Sequence, residues 1–95
     1  MCTGIIETTA IEGSGKGRDG WFTVTQANVS YDHSFHATAA EHTLNIDFAN
    51  PAEGPAARVA VELTYESARR LVDTILVALE RGAVAEGREL VGARA

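Results

Sequence analysis

Apolar residues recur at every second position through the first two thirds of the chain, and at helical spacing after that. The cleanest alternation spans residues 42–49. His42, Leu44, Ile46 and Phe48 fall on one side, and Thr43, Asn45 and Asp47 on the other. This is the signature of a strand with one buried face. Residues 57–63 repeat it, with Val59, Val61 and Leu63 inward and Arg58, Ala60 and Glu62 outward. Residues 21–33 predict a longer strand, in which Trp21, Thr23, Thr25, Ala27, Val29, Tyr31 and His33 share a face. Phe22 and Val24 point the other way, so a bulge is expected near Thr25–Ala27. Residues 3–11 read as a first strand, because Thr3, Ile5, Ile6, Thr8, Thr9 and Ile11 supply β-branched side chains.

The connections are also legible. Residues 12–20 are rich in glycine and read as a loop with exposed Lys16 and Arg18. A phosphate-binding loop would need Gly-Lys-Ser/Thr opening a helix. Here Lys16 is followed by Gly17 and then by a strand pattern, so that reading fails. Asn50-Pro51-Ala52-Glu53-Gly54-Pro55 makes a turn that holds both prolines of the chain. From Tyr65 to about Arg81 the pattern is helical. Ala68, Leu71, Val72, Ile75 and Leu79 form the core stripe, Thr64 suits the N-cap, and Gly82 is a natural stop. Leu76 and Val77 widen the apolar surface and suggest a helix-mediated dimer contact.

Short connections between four strands, followed by one helix, predict an α+β fold. The sheet is a four-stranded antiparallel meander, and one long C-terminal helix packs on one of its faces. Residues 1–82 form a single domain, and residues 83–95 a flexible or short helical tail. This topology gathers residues distant in sequence. The second strand runs into Tyr31–His42 and the third runs out of it, so His33 and His42 are expected as cross-strand neighbours with His36 in the loop between them. An antiparallel first strand starts beside the end of the second, which brings Cys2 to the same corner. The fourth strand also finishes there, with the helix start.

Composition narrows the function classes. The net charge is −5 and the pI about 5.0, against a nucleic-acid partner or an anionic membrane surface. No apolar run approaches the roughly 20 residues of a membrane span, and no basic-then-apolar leader is present. The expected location is cytoplasmic. A chain of 95 residues buries only about 60–65% of its unfolded surface, so a homodimer is expected to supplement a thin core. The single cysteine rules out an intrachain disulfide. Asn28-Val29-Ser30 matches a glycosylation acceptor but lies in a strand of a chain expected in the cytoplasm.

The Cys2/His corner supports three chemistries. Thiolate and imidazole are ligands for zinc or copper, so Cys2, His33, His36 and His42 are candidate metal ligands. Asp32 or Glu41 would orient an imidazole from behind. Met1 precedes a small residue, a context that favours its removal, and the amine and thiol of Cys2 would then chelate together. The corner would equally serve a small ligand. Alternatively, Cys2 acts as a metal-free nucleophile on a small electrophile, with His33 or His42 as base and Asp32 orienting it. The third reading is a non-enzymatic dimeric module that binds a ligand or protein through the polar sheet face of Thr43, Asn45, Asp47, Arg58 and Glu62.

The chain resembles a family of small actinobacterial proteins with no assigned activity. The resemblance rests on Met1-Cys2-Thr3, Gly13-Ser14-Gly15-Lys16-Gly17, Gly20-Trp21-Phe22, Asp32-His33, residues 41–48 and residues 58–64, and covers roughly residues 1–82. It implies a bacterial, cytosolic protein and lends no catalytic residue.

Overall fold

The computed structural model describes residues 3–34 and 41–87. The strands are β1 (Ile5–Gly17), β2 (Gly20–His33), β3 (His42–Ala49) and β4 (Arg58–Leu63), and a single helix α1 (Tyr65–Glu86) follows. A short 3-10 turn, Pro51–Glu53, joins β3 to β4. The strands form one antiparallel sheet in the order β1-β2-β3-β4. The α+β architecture expected from the residue pattern is therefore the one found. The sheet and the helix are two units, Met1–Thr64 and Tyr65–Ala95.

In the sheet, the register places like with like. Phe48 lies between Ala27 and Val59, Ile46 between Val29 and Val61, and Leu44 between Tyr31 and Leu63. This row of cross-strand apolar pairs is the unit that stabilises a sheet. The opposite face is polar and largely self-satisfied. The Asn28 side-chain carbonyl accepts from Thr8 Oγ1 (2.8 Å) and Gln26 Nε2 (3.3 Å). Arg58 Nε donates to Asp47 Oδ1 at 3.0 Å. Thr43, on that polar face by alternation, is nevertheless 0% exposed, and its hydroxyl donates to Asn45 Oδ1 at 2.6 Å. A buried hydroxyl is tolerated there because its hydrogen bond is made.

Two expectations about the first hairpin are corrected. The glycine-rich stretch is strand, since β1 continues to Gly17 and only Arg18 and Asp19 make the turn. Lys16 pairs directly with Trp21 and Gly17 with Gly20, whose φ of 110° closes the turn in a conformation that favours glycine. Composition reads as loop here because the small residues answer a spatial demand. A Cβ on Gly15 would stand 3.2 Å from Val24 Cγ2 and 3.6 Å from Val59 Cγ2. The bulge falls where expected along the hairpin, but its extra residue is on the other strand. Register shifts between Ala10 and Gly13, so Ile11 and Glu12 together oppose Thr25.

The second correction concerns β2. Val24 and Ala27 are both buried although three residues apart, while Trp21, Thr23 and Thr25 are exposed. Period two assigns the two to different faces, so exposure along β2 does not follow one alternating face. Trp21, on one face with Ala27 and Tyr31 by period, is 71% exposed.

The helix carries the expected stripe. Ala68, Leu71, Val72, Ile75 and Leu79 recur at helical spacing and Ala83 continues the row, although only Ala68 and Ala83 of these are buried; Glu66 stands in the first turn, where a carboxylate suits the helix dipole. It does not stop at Gly82. Gly82 is helical, and the end comes at Gly87, with φ 72° and its N–H bonded to Val84 O. A glycine inside a helix costs only about 1 kcal/mol, whereas the terminating residue must adopt the left-handed conformation.

Candidate functional site

The end of the β2–β3 hairpin brings His33 and His42 into direct register. Their rings meet edge to face with centroids 5.4 Å apart. A third ring joins them: Tyr31 stacks on His42 at 5.8 Å, with 23° between the planes. Tyr31 and His42 are diagonal neighbours on one face, because Tyr31 pairs with Leu44 and His33 with His42. The aromatic support of His42 was therefore legible in the parity of Tyr31 and His33 once the register was known. Sequence reading did not assign it.

The neighbouring residues are placed as follows. Asp32 alternates to the opposite face from His33 and pairs with Thr43. Its Oδ1 accepts the backbone N–H of His33 at 2.7 Å. Glu41 lies in an exposed bend just before β3. The start of the chain does reach this end of the sheet. Ile5 pairs with Tyr31, the Thr3 hydroxyl donates to the Tyr31 carbonyl, and the Ile5 N–H donates back to Thr3 Oγ1 at 3.2 Å. Cys2 and His36 lie outside the described residues. Among the described residues no group of three or more His, Cys, Asp or Glu side chains is gathered as metal ligands would be. The described part of the corner is thus a pair of imidazoles held by a tyrosine ring.

Hollows also lie elsewhere among the described residues of the sheet unit. One, of about 290 Å³, runs over the polar face beside Asn28, Asn45, Asp47 and Arg58. Its polar groups largely bond to one another, as described above. Another, of about 400 Å³, lies near the β1–β2 hairpin and is walled by Ile11, Val24, Phe48 and Val59. Sequence reading missed it because it depends on β1 being a strand beyond Ile11.

No helix among the described residues is long and apolar enough to cross a membrane. No curated protein and no solved structure matches the chain. A family model matches residues 1–89, seven residues beyond the stretch that carried the resemblance and including the whole of α1. The chain belongs to that family, DUF6295, a family of unknown function.

Proposed function

We propose that the protein binds a zinc or copper ion at the Cys2/His corner, with His33 and His42 as the first two ligands. The observation that carries this is the direct cross-strand register of the two imidazoles, 5.4 Å between centroids. A tetrahedral zinc with nitrogen ligands at about 2.0–2.1 Å puts two imidazole centroids roughly 5 Å apart. The pair therefore needs little rearrangement to share an ion. Rigid strands hold both backbones, and the Tyr31 ring limits the rotation of His42. Cys2 and His36 are the further donors that the sequence offers, and thiolate with imidazole selects zinc or copper over magnesium or calcium.

Elemental analysis of untagged protein with its native N-terminus, purified without chelator, tests this. Close to one zinc or copper per site is expected, with His33→Ala weakening zinc binding by about 100-fold or more. His33 is the cleaner variant because His42→Ala also removes the Tyr31 stack. Protein without metal that takes up none on titration would end the metal reading.

We infer also that the chain forms a homodimer through α1. Val72, Ile75 and Leu79, the centre of the helix's apolar stripe, remain about half exposed, and Ile75 is 49% exposed. A second copy presents the same stripe, and two identical apolar faces related by a two-fold axis cover each other. Ile75→Asp should convert a dimeric mass to a monomeric one in light scattering after size exclusion, with helical content retained. A wild-type chain that is monomeric at high micromolar concentration overturns this.

A further inference from the structure

We propose that the outer edge of β1 pairs with the β1 of a second copy, antiparallel and about a two-fold axis at Thr8, so that the sheet continues from one chain into the other. In the strand order β1-β2-β3-β4, β1 and β4 are the edges, and an edge strand turns half of its backbone N–H and C=O groups away from its neighbour. The two edges differ. β4 is 6 residues long and carries Arg58 and Glu62, the short, charged kind of edge that discourages pairing. β1 runs for 13 residues, and Ile5–Ala10 pair with β2 without a break before the bulge. All of Ile5–Ala10 are exposed, Ile5 at 49% and Ile6 at 67%. The stretch holds no lysine, arginine or proline, and its only charged residue is Glu7. Beyond the bulge β1 approaches β4, where a Cβ on Gly17 would stand 3.4 Å from the Arg58 carbonyl. The open edge is therefore Ile5–Ile11.

The residue pattern selects a second copy and its register. Ile5 extends the apolar row of Tyr31, Leu44 and Leu63, whereas Ile6 stands in the polar row of Ser30, Asn45 and Glu62. A two-fold axis through a residue keeps like faces together, and an axis between residues joins the apolar face of one copy to the polar face of the other. Centring on Thr8 sets Ile5 opposite Ile11, Ile6 opposite Ala10 and Glu7 opposite Thr9. Both exposed isoleucines then meet an apolar partner, no charge directly faces a charge, and about six backbone hydrogen bonds close. Neighbouring registers do worse. Centring on Ile6 opposes Ile5 to Glu7, centring on Glu7 opposes two carboxylates, and centring on Thr9 opposes Ile6 to Glu12 across the bulge. The contact uses β1 and not α1, so it goes beyond the helix-mediated dimer. A contact between two strands is small and therefore weak, with a dissociation constant of about 0.1–1 mM.

The test uses the full chain carrying Ile75→Asp, which removes the α1 contact. Sedimentation equilibrium from about 20 µM to about 1 mM should show the mass rising from monomer towards dimer. Amide exchange within residues 5–11 should slow by at least about 2-fold over the same range. Thr8→Lys and Thr8→Glu each set like charges face to face at the axis, and each alone should stay monomeric. An equimolar mixture of the two should restore the dimer, because only an axis at Thr8 sets this position against itself. Thr8 is exposed, so both variants retain the fold. A chain that is monomeric at about 1 mM, a mixture no more dimeric than its components, or protection that falls outside residues 5–11 would overturn the proposal. An edge that pairs only with a foreign extended peptide overturns it as well. Failure of the α1 dimer leaves these readings unchanged, so the two contacts stand or fall separately.

Discussion

Asn50→Ala is expected to lower the unfolding free energy by about 2–4 kcal/mol, read from the urea midpoint at an unchanged slope. Asn50 is a polar side chain only 6% exposed, at the turn between β3 and β4. Its Oδ1 accepts the N–H of Ala52 at 3.1 Å and caps the 3-10 turn. Its Nδ2 donates to the backbone carbonyl of Thr23 at 3.0 Å and to Glu53 Oε2 at 3.0 Å. The bond to Thr23 matters most, because it ties the β3–β4 turn to β2. Alanine removes all three bonds and leaves the Ala52 N–H and the Thr23 carbonyl without that partner. Each typical bond is worth about 1 kcal/mol net, and a buried group left unsatisfied costs about 1–3 kcal/mol. A loss below 1 kcal/mol would mean that water replaces these partners and that the turn is not tied to β2 through Asn50.

The second large effect is expected at Gly17. Gly17→Val should destabilise by about 1–3 kcal/mol, a thermal midpoint lower by several degrees. A Cβ there would stand 3.2 Å from Phe22 Cε1, 3.4 Å from the Arg58 carbonyl and 3.6 Å from the Ala56 carbonyl. The phenyl ring can yield, but two backbone oxygens of the β4 approach cannot move without disturbing the strand. Gly13→Ala is the control. Its Cβ would meet only Ile11 Cγ2, at 3.6 Å, an ordinary contact. Replacing a strand glycine without a clash should be neutral or stabilising, by about 0.5–1 kcal/mol. If both substitutions behave alike, the close approach of β1 to β4 does not govern the glycine pattern.

That pattern marks the limit of what residue types alone convey. Gly13-Ser14-Gly15-Lys16-Gly17 reads as a loop because glycine and serine have low intrinsic strand preference. Pairing with β2 overrides this, since register partners Val24, Thr23, Phe22, Trp21 and Gly20 supply the hydrogen bonds. Trp21 went the other way. Period two placed it on one face with Ala27 and Tyr31, yet Trp21 is exposed and Val24, of the opposite parity, is buried. Gly82 stayed helical because a weak local preference does not end a helix that continues to Gly87.

The Tyr31–His42 stretch shows both sides. By alternation alone, His33 and His42 fell on the same face of adjacent strands, and the register pairs them directly. The ring geometry was not legible: the stack of Tyr31 on His42 follows from the diagonal spacing of two paired strands.

By itself the sequence determined the element order, the antiparallel meander and helix, the apolar face of β3 and β4, and the pairing of the two histidines. These follow from periodicity and chain connectivity, which are local. Tertiary structure alone decided the length of β1, the burial of Val24 and Thr43, the contacts of Asn50 with Thr23, and the hollow near the β1–β2 hairpin. Each depends on how closely one strand approaches another. That distance is set by side chains far apart in the sequence, so no single stretch encodes it.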